Sequence, residues 1–90
     1  MNDWTVYLLE CFDGTYYCGI TTDLEKRVAV HNKGKGAKYT KHRTPVRVMA
    51  SYSGLNHSSA LKLECRIKKM PRAAKVKFFD DVQGQLAQMD

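Results

Sequence analysis

Few side chains in this sequence have chemistry to offer, and their spacing is informative. Tyr7 and Tyr17 stand ten residues apart, on either side of an Asp13-Gly14 pair, and Gly19 follows two residues after the second phenol. Side chains on a strand repeat every two residues, so Tyr17 and Gly19 share a face. Gly19 leaves that face bare, with room for another backbone or a ligand. Two phenols beside a bare backbone patch form a candidate site, although tyrosines on a half-buried hairpin are also ordinary strand residues. Leu24, Arg27, Val28 and His31 fall at i, i+3, i+4 and i+7, so a helix carrying them has one face half apolar and half cationic. The simpler account of Arg27 is a stem lying on apolar surface with its head in water. Glu64 interrupts a second apolar stripe, Ala60, Leu63, Ile67 and Met70. A carboxylate there must be paired, hydrogen-bonded or bound to a cation, and Lys68 at i+4 is the simplest partner.

The net charge is +6, with a pI of about 9.4. Eight of the fifteen Lys and Arg residues lie between Lys26 and Arg47, a window without Asp or Glu, and the other seven lie between Lys62 and Lys77. Such a surface attracts polyanions and suits a phosphate backbone; the competing reading is a solvated basic face without a specific partner. Within the first window, Lys33, Lys35, Lys38, Tyr39, Lys41, His42 and Arg43 read as a basic loop for nucleic acid. Tyr39 is its candidate stacking platform, and glycines allow close backbone approach. Three cysteines and three histidines lack the short pair spacings of a zinc site or a disulfide framework. No apolar run is long enough to cross a bilayer, and Met-Asn-Asp-Trp does not open a signal peptide. A cytoplasmic protein without a membrane role is expected.

The elements that must position these residues follow from pattern. Trp4–Cys11 and Thr15–Thr21 are rich in β-branched and aromatic residues around Asp13-Gly14, which predicts an antiparallel hairpin with a tight positive-φ turn. Thr22-x-x-Glu25 reads as a capping box for a helix over Asp23–Asn32. Lys33–Pro45 follows as loop, with one helical turn around Ala37–Lys41. Val46–Ser53 predicts a third strand with Val46, Val48, Ala50 and Tyr52 to one side. A second helix is expected over Ser59–Met70. Pro71 ends it, and a third helix over Arg72–Val82 directs Ala73, Val76, Phe79 and Val82 at the core. The prediction is an α+β fold: a small three-stranded antiparallel sheet flanked by helices, in the order β-β-α-β-α-α. Residues 1–82 form one domain, and 83–90 a tail or short helical extension.

Together, Thr5-Val6-Tyr7, Tyr17-Cys18-Gly19, Arg27, His31 and Ala60-Leu61-Lys62-Leu63-Glu64 resemble the GIY-YIG nuclease family. Gly36-Ala37-Lys38-Tyr39-Thr40 and Pro45-Val46 are similar to its small bacterial branch. The resemblance covers about Trp4 to Phe79 and implies a divalent-metal-dependent DNA endonuclease that hydrolyses phosphodiester bonds, linked to repair or recombination. It implies catalytic roles for Tyr7, Tyr17, Arg27, His31 and Glu64, with Gly19 structural. Glu64 would hold one Mg²⁺ or Mn²⁺, Arg27 the scissile phosphate, and Tyr7 would act as general base, with His31 the other candidate to take the proton. Tyr17 would orient water or phosphate. Single-stranded or branched DNA is the expected substrate, with specificity from the loop, a homodimer or a protein partner. The alternative is a nucleic-acid-binding module whose nuclease site is vestigial.

Overall fold

The computed structural model describes residues 2–89, with side chains described through residue 81. Its elements are β1 (Trp4–Glu10), β2 (Tyr16–Thr21), α1 (Leu24–Asn32), β3 (Arg47–Leu55), α2 (His57–Lys68) and α3 (Arg72–Met89). They form one antiparallel sheet of order β2-β1-β3, in the predicted chain order. The central strand β1 is apolar almost without alternation because both of its faces are covered. Val6 and Leu8 pack with Cys18, Ile67 and Phe79 beneath α2 and α3. Tyr7 and Leu9 pack on the opposite face with Val46 and, from α1, Leu24 and Val28.

The hairpin is tied by a three-residue loop and not by the two-residue turn that Asp13-Gly14 suggests. Gly14 N–H donates to Cys11 O at 2.9 Å, Cys11 N–H donates to Thr15 O at 2.8 Å, and Gly14 alone takes positive φ, +82°. That is the hairpin class in which a glycine bulge follows the turn. The register pairs Tyr7 with Gly19 and Leu9 with Tyr17. Both phenols and the bare glycine therefore share the face that α1 covers.

Three boundaries differ from the sequence pattern for local reasons. Asp23, not Thr22, caps α1: its carboxylate accepts from Lys26 N–H at 3.1 Å, and Thr21 Oγ1 accepts from Asp23 N–H. The cap is shifted by one residue, so Glu25 cannot complete a capping box. Asn56 caps α2 by accepting from Ser59 N–H at 2.7 Å, which starts that helix at His57. The basic segment before β3 holds turns over residues 38–42 and no helical turn.

β3 also departs from simple alternation. Its register with β1 slips between Leu8 and Leu9, opposite Ala50 and Val48, leaving Met49 as an extra residue. A bulge of this kind exchanges the faces of the strand. Ala50 and Tyr52 pack against the α2–α3 core, whereas Val46 joins the Tyr7 cluster and Val48 lies beside Leu24 and Val28. α3 continues through Met89 without a break at residue 82, while the Val82 side chain lies outside those described. Among the described residues, no helix is long and apolar enough to cross a membrane.

Candidate active site

Register and helix phase bring Tyr7, Tyr17, Gly19, Arg27 and His31 together. Gly19 faces Tyr7 across the β1–β2 ladder, and the room it leaves is filled by the Tyr7 ring itself. A Cβ at residue 19 would fall 2.6 Å from Tyr7 Cζ and closer still to the hydroxyl. Glycine is needed there because the phenol lies flat over the backbone. Tyr7 is 1% exposed and His31 fully buried.

Tyr7 Oη lies 3.0 Å from His31 Nε2, and His31 Nδ1 lies 2.8 Å from Thr40 Oγ1. Thr40, itself fully buried, donates to Ala37 O at 3.2 Å. Arg27 lies beside this pair, close enough for its charge to act on the Tyr7 hydroxyl, and through Nη2 donates to Gly36 O at 2.6 Å. These partners assign the protons. Thr40 spends its single proton on Ala37 O, so its oxygen accepts from His31 Nδ1–H, and Nε2 of the neutral ring accepts the Tyr7 proton. His31 then carries its proton on Nδ1 and gives it to Thr40, whose own proton goes to Ala37 O. The chain runs Tyr7 O–H to His31, His31 N–H to Thr40, and Thr40 O–H to the backbone.

Electrostatics agree with that direction. Burial lowers the His31 pKa below the usual imidazole value, and the Arg27 charge lowers it further, so the ring is neutral near pH 7. Burial raises the Tyr7 pKa, and Arg27 beside it offsets that only in part. Arg27 alone therefore does not make Tyr7 a phenolate at rest, and the His31 ring beside it is neutral.

The basic segment folds over this pair. A Cβ at Gly36 would meet His31 Cγ and Nδ1 at 2.5 Å, so the segment lies in contact with the ring. Tyr17 packs on His31 with centroids 5.2 Å apart, and Tyr39 stacks on Tyr17 at 5.9 Å and 26°. Arg43 covers Tyr39 with its guanidinium carbon 4.2 Å from the ring centroid. Tyr17 and Arg43 thus lie against the Tyr39 ring, which stays 39% exposed. Arg43 is itself tied to Asp13 at 3.0 Å and to Tyr39 O at 2.9 Å. Lys33, Lys35, Lys38, Lys41 and His42 are exposed along the same segment. Arg27 lines an open recess of about 390 Å³ with Lys26, Thr21 and Thr22, which brings solvent to the edge of the site.

Glu64 approaches from the other side of the sheet. Its half-buried carboxylate lies 3.7 Å from Lys68 Nζ, and that ammonium sits 5.7 Å from the centroid of Tyr17. The expected i+4 partner is thus in place. Among the described residues, no three His, Cys, Asp or Glu side chains converge on a possible ion. One carboxylate still suits a small hard cation such as Mg²⁺, which keeps several waters and takes its remaining ligands from a phosphate. The donor set fits that role.

Two participants were not among the candidates read from sequence. Thr40 and Gly36 act only once the segment folds back onto α1, and no local pattern marks either.

A family model described as the GIY-YIG catalytic domain matches residues 3–77. A UPF0213 protein of Halobacterium salinarum is 53% identical over 74 residues, 82% of this chain and 96% of that protein. A UPF0213 protein of Lactococcus lactis is 52% identical over 77 residues, 84% of this chain and 74% of that protein. Among solved structures, a UPF0213 protein from Bacillus halodurans matches with TM-score 0.53 and 41% identity, covering 87% of this chain and 82% of that one. A protein from E. faecalis matches with TM-score 0.63 and 34% identity, covering 92% of both chains. With its motif tyrosines paired around Gly19 and its three-stranded sheet flanked by helices, the chain belongs to the GIY-YIG family of nucleases and is similar to its UPF0213 members.

Proposed function

We propose that the protein is a divalent-metal-dependent endonuclease that hydrolyses phosphodiester bonds in DNA. The observation that carries this reading is the buried Tyr7–His31–Thr40 hydrogen-bond chain next to Arg27. Hydrolysis needs an activated water, neutralised phosphate charge and help for the departing 3′ oxygen. Arg27 is permanently cationic and binds a phosphate oxygen from the recess it lines. Tyr7 takes a proton from the attacking water while its own proton passes to His31 Nε2. The two transfers leave hydroxide facing phosphorus, a neutral phenol and an imidazolium. Thr40 holds the imidazolium by accepting from Nδ1. Neutral His31 is a far better proton acceptor near pH 7 than an isolated phenolate is a stable base, so the pair accomplishes what Tyr7 alone does not. Tyr17 holds the His31 ring in place from its outer side. Glu64 would hold one Mg²⁺ or Mn²⁺, which when bound supplies Lewis-acid stabilisation of the leaving oxygen.

Exposed Lys33, Lys35, Lys38, Lys41 and His42 carry the DNA backbone past this site. A role in repair or recombination fits a nuclease that recognises structure more than sequence. A homodimer or a protein partner is a further source of specificity. The test is cleavage of labelled single-stranded, duplex and branched DNA with Mg²⁺ or Mn²⁺, wild type beside Glu64→Ala. Cutting by wild type, lost in Glu64→Ala and in chelator, supports the reading; equal cutting by both proteins sinks it. The Glu64–Lys68 ion pair favours a second reading, a DNA-binding module whose carboxylate already has its cation. That reading predicts salt-sensitive binding unchanged by Glu64→Ala and no cleavage by either protein.

A further inference from the structure

The hairpin tip carries an aromatic side chain that the site does not use. Phe12 is 76% exposed, whereas Tyr39, Val48 and Leu61, the other exposed large apolar residues described, lie between 39% and 43%. Single exposed apolar residues are common and need no role. Phe12 differs in being held out by a braced backbone. The turn is closed by Gly14 N–H on Cys11 O, and Thr15 Oγ1 donates to Asp13 Oδ1 at 2.6 Å. Phe12 N–H donates to Arg43 O at 2.9 Å, and Arg43 Nε to Asp13 Oδ2 at 3.0 Å, so the tip is fastened to the basic segment.

Its surroundings indicate what it meets. Beside Phe12 lies a depression of about 260 Å³ shared with Cys11, Pro45 and Arg47, broad enough for a flat ring. Glu10 also lines it, but that carboxylate is bound by Arg47 Nε at 2.8 Å. A run of contacts links the Tyr7 phenol to the backbone of this tip: Tyr7 to His31, His31 to Tyr17, Tyr17 to Tyr39, Tyr39 to Arg43, and Arg43 to the Asp13 carboxylate and the Phe12 N–H. Tyr39 has Tyr17 and Arg43 against its ring, and Phe12, joined to Arg43 through its backbone, is the more exposed aromatic side chain.

We propose that Phe12 is the stacking contact for an unpaired nucleobase of the strand held at Arg27, so that the protein selects nucleic acid with unpaired bases beside the cut. The inference rests on the nuclease reading and names its substrate class. Stacking is indifferent to base identity, and its loss weakens binding about 5- to 100-fold per base. The tip selects structure, not sequence.

The experiment measures binding of a labelled hairpin DNA with a single-stranded arm, and of the same hairpin with the arm fully paired. It uses chelator, so that no cleavage occurs, and compares wild type, Phe12→Ala and Phe12→Trp. Wild-type cleavage of the armed hairpin with Mn²⁺ is run alongside. Phe12→Ala should lose about tenfold in affinity for the armed hairpin and less than about twofold for the paired one, with Phe12→Trp restoring the difference. Equal affinity of wild type and Phe12→Ala for the armed hairpin overturns the inference and leaves the nuclease reading standing if wild type cuts. Equal loss on both DNAs overturns it too, since Phe12 is then a contact to paired DNA. Self-association of wild type that Phe12→Ala abolishes, without change in DNA binding, makes the tip a protein contact. If wild type neither binds nor cuts, the nuclease reading falls first and this inference with it.

Discussion

Replacing Thr40 by Val removes one hydroxyl and keeps the shape of a fully buried side chain. That hydroxyl accepts from His31 Nδ1 at 2.8 Å and donates to Ala37 O at 3.2 Å. Ala37 is half-buried and its carbonyl can turn to water, but the Nδ1–H of fully buried His31 has nowhere else to go. A buried donor left without an acceptor costs about 1–3 kcal/mol. In a domain of this size each kcal/mol moves Tm by about 4–8 °C, so Thr40→Val should melt roughly 4–20 °C below wild type. Thr40→Ser keeps the hydroxyl and loses one buried methyl, about 1 kcal/mol. Stability alone separates the two variants poorly, so the decisive readout is the His31 tautomer, from ring nitrogen chemical shifts. Wild type and Thr40→Ser should carry the proton on Nδ1, and Thr40→Val should lose that preference. A wild-type ring protonated on Nε2 would reverse the whole hydrogen-bond chain and refute the reasoning.

Gly19→Ala places a Cβ 2.6 Å from Tyr7 Cζ, and buried Tyr7 has no room to withdraw. It should destabilise by about 1–3 kcal/mol in urea unfolding, and cut cleavage about a hundredfold through displacement of the phenol. In Arg27→Lys the ammonium lacks the planar fork that reaches Gly36 O beside Tyr7. Amide exchange over residues 36–40 should quicken and cleavage fall at least about tenfold; unchanged exchange would show that Arg27 does not hold the segment. The His31 pKa is lowered on folding, so the unfolded chain binds its proton first. Stability should therefore fall as pH drops below about 6.5 and on through the folded pKa, with a shallower slope in His31→Gln. The Tyr7 pKa is raised, which adds to a loss of stability above about pH 10 that should be smaller in Tyr7→Phe.

What could be read without coordinates was what short-range physics decides. The hairpin, the shared face of Tyr17 and Gly19, and the pairing of Arg27 with His31 one helical turn apart follow from periods of two and 3.6 residues. The misses divide between helix caps decided by near neighbours and contacts between segments distant in sequence. The bulge at Met49 sends Val46 and Val48 to a different face from Ala50 and Tyr52, and it arises from how β3 meets β1. Thr22 and Asp23 both look like helix caps, and Thr21 tips the choice by taking the Asp23 amide. Gly19 leaves room, on the sequence, for another backbone or a ligand, and in the fold the Tyr7 ring fills it. Tyr39 reads from sequence as a candidate stacking platform; in the fold its ring is 39% exposed and has Tyr17 and Arg43 against it. Thr40 and Gly36 acquire their places only when the basic segment closes over His31.

The central claim is that Tyr7 handles the proton of the attacking water by handing its own to His31. Its most direct test is single-turnover cleavage of one DNA substrate with saturating Mn²⁺, comparing wild type with Tyr7→Phe at equal stability. Phenylalanine keeps the ring and removes only the hydroxyl. The account predicts a loss of at least about a hundredfold, at the lower end of what a positioned acid–base group contributes. A Tyr7→Phe protein that cuts at the wild-type rate would contradict it.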